Sequence, residues 1–114
     1  MEESILTSIK KLLNLSEEYT PFDTDIIMHI NTVFNILNQL GIGPEGFRIE
    51  DDLATWSSFL KDDVSELESV KTYMYLKVKL MFDPPLNSSI LESTKQLIAE
   101  LEWRINVYIE NKNN

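Results

Sequence analysis

The stretch Leu67–Pro85, LESVKTYMYLKVKLMFDPP, constrains the fold more than any other part of the chain. On a helical wheel at about 100° per residue, Leu67, Val70, Met74, Val78 and Met81 share one stripe. Tyr73, Leu76 and Leu80 lie roughly 100° further round, which leaves Glu68, Thr72 and Lys79 as the clean polar face. A helix apolar around most of its circumference touches several neighbours at once, so this segment is expected at the centre of the molecule. Pro84 and Pro85 have no N–H to donate, and the first disfavours helix in the residue before it. The result is a core rod of roughly 28 Å, about 19 residues at 1.5 Å each, with a hard stop.

Composition sets the outer limits. A chain of 114 residues, 43 % hydrophobic and 25 % charged, reads as one globular domain over 1–114 with a single core. No run approaches the 18 or so consecutive apolar residues of a membrane span. The start, MEESILTSIKKLL, is acidic and amphipathic, unlike a signal peptide. With no cysteine, disulfides and thiolate metal sites are excluded. The net charge of −9 argues against binding nucleic acid through a basic face. That charge is uneven: residues 1–60 carry ten acids and three bases, residues 61–114 nine acids and seven bases.

In chain order, Ile5, Leu6, Ile9, Leu12 and Leu13 predict an amphipathic helix from about Glu2 to Leu13, with Lys10 and Lys11 suiting the dipole of its last turn. Thr20-Pro21 bars helix in the connector that follows. A second helix is expected from an Asp23 or Thr24 N-cap, with Ile26, Ile27, Ile30, Val33, Phe34, Leu37 and Leu40 as its stripe and Gly41 at its end. His29, the sole histidine, sits at the edge of that stripe and reads as a half-buried structural residue. Residues 41–50, GIGPEGFRIE, hold all three glycines. They predict turns and a short extended piece at Phe47–Ile49, either a plain connection or a loop that touches a partner through Phe47.

Asp51 or Asp52 is then expected to cap a short helix carrying Leu53, Trp56, Phe59 and Leu60, with Trp56 in the core. Asp62, Asp63 and Ser65 open the central helix. After Pro85, Asn87–Ser89 offer caps for a last helix to about Glu110, with residues 110–114 as a frayed polar tail. Its stripe is Ile90, Leu91, Thr94, Leu97, Ile98, Leu101, Ile105 and Tyr108. Trp103 and Val107 lie on nearly the opposite side, so they are interface candidates. Tyr73, Leu76 and Phe47 join them, the first two because the central helix has more apolar surface than one core needs. The fold class is therefore all-α: a small bundle of four main helices and one short helix, with a turn-rich connection at 41–50.

No catalytic pattern is present: no G-x-S-x-G, P-loop, G-x-G-x-x-G, H-E-x-x-H or cysteine nucleophile. The carboxylates are scattered at helix starts and on polar faces, where solvation accounts for them. The residues therefore assign no catalytic, metal or cofactor-binding site.

Several strings together resemble the head–tail connector (adaptor, or DNA-packaging) family of tailed bacteriophages. They are Ile5-Leu6-Thr7 with Leu12-Leu13, Phe22-Asp23, and Asn38-Gln39-Leu40-Gly41-Ile42-Gly43-Pro44. Ala54-Thr55-Trp56-Ser57, the whole of Leu67–Pro85, and Leu101-Glu102-Trp103-Arg104-Ile105-Asn106 complete the set, which spans most of the chain. The resemblance implies a virion neck component, assembled in the host cytoplasm. It implies a homo-oligomeric ring on the portal that extends the DNA channel and meets a further neck or tail protein. Genomic DNA would pass without specific binding, and neither cofactor nor catalysis is implied. An acidic lumen suits this, since it repels the DNA backbone. The competing reading is a monomeric acidic interaction module, an inhibitor or DNA mimic, for which the charge excess of residues 1–60 speaks.

Overall fold

The computed structural model describes residues 3–60 and 64–113, and five helices follow one another in it. They are α1 (Ile5–Leu12), α2 (Asp23–Leu40), the four-residue α3 (Trp56–Phe59), α4 (Val64–Phe82) and α5 (Ser88–Asn113). No strand occurs among the described residues. The expected extended piece at 47–49 forms no ladder, and the isolated bridge pairs Ser4 with Thr55 instead, the Ile5 N–H donating to the Ala54 carbonyl at 2.8 Å.

α4 is the centre, packed against both α2 and α5. Val70, Tyr73, Met74 and Val78 are fully buried, which is what an all-round apolar surface requires. The helix begins at Val64, three residues ahead of the expected stretch, and closes at Phe82 just before Asp83-Pro84-Pro85. Met81, expected on the buried stripe, lies at its exposed edge. Asp62 and Asp63, the expected helix openers, fall outside the described residues.

α1 starts later than expected because the Ser4 hydroxyl accepts the Thr7 N–H at 3.1 Å and so caps the helix. Glu3 then precedes the helix and pairs with Lys11. Ile5, Leu6, Ile9 and Leu13 are buried, whereas Leu12 of the same expected stripe faces solvent. Its place is taken by Lys10. The chain reverses at Asn14 (φ 65°), and the returning connector covers the Lys10 side chain. The ammonium donates to the Glu17 carbonyl at 2.9 Å and pairs with the Asp23 carboxylate at 2.9 Å. A buried cation is tolerated only when it is paired and hydrogen-bonded in this way.

Asp23 is the first residue of α2, not its cap; Phe22 holds the cap position without a side-chain bond, and Asp23 and Asp25 meet the helix dipole. At the other end Gly41 turns left-handed (φ 97°), with Ile42 N–H on Leu37 C=O and Gly41 N–H on Asn38 C=O, a Schellman closure. The short helix begins at Trp56, not at Leu53: Asp51 Oδ1 accepts the Leu53 N–H in a tight turn and leaves Leu53 exposed. Trp56 is buried as expected, its indole N–H donating to Ser8 Oγ at 2.9 Å. Phe34, Phe47 and Phe59 stack around one another with ring centroids 4.6–5.1 Å apart.

Asn87 caps α5 by accepting the N–H groups of Ser89 and Ile90. The helix runs on to Asn113, so the expected frayed tail is helical that far. Ile98, Leu101 and Ile105 are buried, but Ile90 and Leu97 of the same stripe are exposed. For Ile90, length is the reason. α5 has 26 residues and α4 has 19, roughly 39 Å against 28 Å. The two are antiparallel, with Tyr73 bonded to Glu102 and Val70 beside Ile105. Each step along α4 is a step back along α5, so Phe82 reaches the level of Ser93 and the first turns of α5 run past the end of α4.

Candidate interface surfaces

Buried residues from all five helices, with Ile42 and Ile49, form one cluster, so what remains for a partner is the set of apolar side chains outside it. The expected pair on α5 is placed as the wheel implied: Trp103 is 65 % exposed, and Val107, one turn on, is half-buried. Arg104 beside them is tied to Glu100 at 3.0 Å, which keeps a cation next to the tryptophan without burying it.

The other three candidates lie elsewhere. Tyr73 has no surface to offer: its ring is fully buried and its hydroxyl donates to Glu102 Oε2 at 2.6 Å. Burial and that hydrogen bond push its phenol well above the ordinary range. The excess apolar surface of α4 is thus consumed by packing on both α2 and α5. Leu76 is half-buried against the same core. Phe47 is half in the core, edge-on to Phe34, and half in a groove.

That groove, about 590 Å³, lies between α2 and residues 46–48. It exists because asparagines on α2 hold the loop at a fixed distance. The Asn31 amide both donates to Ile49 C=O (2.9 Å) and accepts from Ile49 N–H (2.8 Å), as a neighbouring strand would. Asn38 donates to Pro44 C=O at 3.1 Å. Met28, on the wall of the groove, is 57 % exposed.

A further surface escaped the sequence reading. Leu86 is fully exposed on the turn before α5, Ile90 is 56 % exposed on the overhang of α5, and Leu97 is 42 % exposed two turns further along. The helical spacing of Ile90 and Leu97 marked those two as core. For Ile90 the signal that could have corrected this was the length mismatch between the two helices, together with Pro84–Leu91, eight residues without a charge. A last apolar edge joins Tyr19, Phe22 and Phe82, whose rings touch in sequence.

Among the described residues no group of three or more His, Asp or Glu is arranged to hold a metal ion, and His29 is half-buried. Among the described residues no helix is long and apolar enough to cross a membrane. Compared with known proteins, the chain matches the family model described as phage connector protein over residues 5–112. No curated protein and no solved structure matches it.

Proposed function

This chain belongs to the phage connector protein family, and we propose that it is a structural part of the virion neck that forms a ring on the portal. The match over nearly the whole helical chain is the observation that carries the reading. In this role the single domain 1–114 extends the DNA channel beyond the portal, and its far side receives the next neck or tail protein. Assembly takes place in the host cytoplasm. The family is structural, and the function needs no catalysis and no cofactor. The net charge of −9 supports passage of DNA without retention, because an acidic wall repels phosphate. Exposed Trp103 with half-buried Val107 supplies an apolar contact for the portal or a neighbouring subunit.

The test is negative-stain imaging of the purified chain, alone and mixed with the portal protein of the same phage, at low and moderate salt. Rings, or an added layer on one end of the portal, are expected at both salt concentrations, since apolar contacts are not screened. A monomer that ignores the portal under both conditions overturns the reading. The charge excess of residues 1–60 favours one second reading, a monomeric acidic module that occupies a basic protein. Such a module would lose its partner steeply as salt rises.

A further inference from the structure

We infer that the groove beside α2 receives an extended peptide segment of another protein, with Asn35 holding its backbone and Arg48 holding one carboxylate side chain. This contact goes beyond the ring described above and does not depend on it.

One wall of the groove already shows how its amides treat extended chain. Asn31 accepts from the Ile49 N–H at 2.8 Å and donates to the Ile49 carbonyl at 2.9 Å, and Asn38 donates to the Pro44 carbonyl at 3.1 Å. Asn35 stands between them on α2, exposed in the groove, and its side chain has no hydrogen bond among the described residues. The loop opposite closes a turn on itself, Phe47 N–H on Pro44 C=O, and leaves that amide unused. A primary amide carries a donor and an acceptor, the complement of one backbone N–H and C=O. Asn35 can therefore hold a guest backbone as Asn31 holds Ile49.

Charge specifies the guest further. Residues 1–60 contain three bases. Lys10 pairs with Asp23 and Lys11 with Glu3, whereas Arg48 is exposed and makes no ion pair among the described residues. It is also the one charged residue lining the groove. A guanidinium left without a carboxylate in a chain of net charge −9 is complementary to one carboxylate, which it can hold through two parallel N–H bonds. Glu45, Glu50, Asp51 and Asp52 lie near Arg48 in sequence but outside the groove lining, and they repel a polyanion. The guest is thus a peptide with a single acid, not an acidic run or a nucleic acid. Phe34, Phe47 and Met28 give its alternate side chains apolar contact, the usual division of labour when extended peptide is bound. The volume of about 590 Å³ suits a short segment.

The test uses a positional-scanning library of acetylated pentapeptide amides, read by proton–nitrogen NMR of the full chain. Pools with Asp or Glu fixed at one position are expected to shift the Asn35 side-chain amide and the Arg48 Nε–H, and pools with Lys or Arg there are not. Arg48→Gln should weaken the selected peptide about tenfold, the worth of a charged hydrogen bond. That loss should vanish when the peptide's carboxylate is replaced by a carboxamide, a coupling that a merely structural role would not produce. Asn35→Ala should weaken the same peptide severalfold, and both variants, at exposed sites, should keep the thermal midpoint within a few degrees. Pools that leave Asn35 and Arg48 unmoved, selection without an acid, or losses that simply add overturn the inference. Concentration-dependent movement of the same resonances without peptide overturns it too, by placing a second copy in the groove. Imaging of rings is unaffected by any of these outcomes, so the ring reading stands or falls separately.

Discussion

A Cβ placed on Gly43 would lie 2.2 Å from Cε1 of Phe59, and the backbone there is left-handed at φ 81°. Phe59 cannot retreat, because its ring is held between Phe34 and Phe47 at 4.6 and 5.1 Å. Gly43→Ala therefore combines overpacking with backbone strain, and a loss of about 2–4 kcal/mol is expected in urea unfolding. A loss under about 1 kcal/mol would mean that the loop moves freely off α2. Lys10 is the opposite case at the same scale. A charged residue in a last turn is ordinarily solvated, yet here the connector closes over it and provides Glu17 C=O and Asp23 as partners. Neither the contact of Gly43 with Phe59 nor the burial of Lys10 could be read from residue type, since each is made by chain that arrives from elsewhere.

At the scale of the element, α4 owes its position to apolar side chains on nearly every side, and one hydrogen bond joins it to α5 beside their apolar contact. Tyr73 donates to Glu102 from a fully buried ring, and its phenol titrates well above the ordinary range. The sign follows from linkage. Below about pH 10 the phenol is neutral in both states and contributes no slope. Above that the unfolded chain releases the proton while the folded chain keeps it, so stability falls by about 1.4 kcal/mol per pH unit until the folded group ionises. Tyr73→Phe should lose about 1 kcal/mol at pH 7, the net worth of one hydrogen bond, and show a shallower decline between pH 10 and 11. Urea midpoints across that range decide it, and an unchanged alkaline decline would show that Tyr73 is not its source.

At the scale of the molecule, the helices form a slab of 44 × 36 × 22 Å, with apolar side chains left exposed on α5. Trp103 is 65 % exposed, so Trp103→Ala should shift folding stability by no more than about 0.5 kcal/mol. Combined with Val107→Ser it should nonetheless weaken formation of the layer on the portal. Unchanged assembly of the double variant, scored by imaging, would remove this pair from the interface. The match to the phage connector protein family and the acidic charge both belong to this scale, because they describe the whole chain and not a site within it.

Periodicity and punctuation determined the helices. The stripe of α2 with Gly41 behind it, the Asp-Pro-Pro stop after α4 and the buried Trp56 all follow from local chemistry that acts within a few residues. The family resemblance was legible for the same reason, being carried by those strings. The boundaries at Ser4 and Trp56 depended on which side chain won a given N–H, a competition decided only in the folded chain. The surfaces needed more still. A stripe of Ile and Leu states that a helix can be buried, while the length of its neighbour decides how much of it is. The 26 residues of α5 against the 19 of α4 left Ile90 in solvent, and packing on two sides removed Tyr73 from the surface. Burial is a property of pairs of elements, and no single stretch of sequence contains the pair.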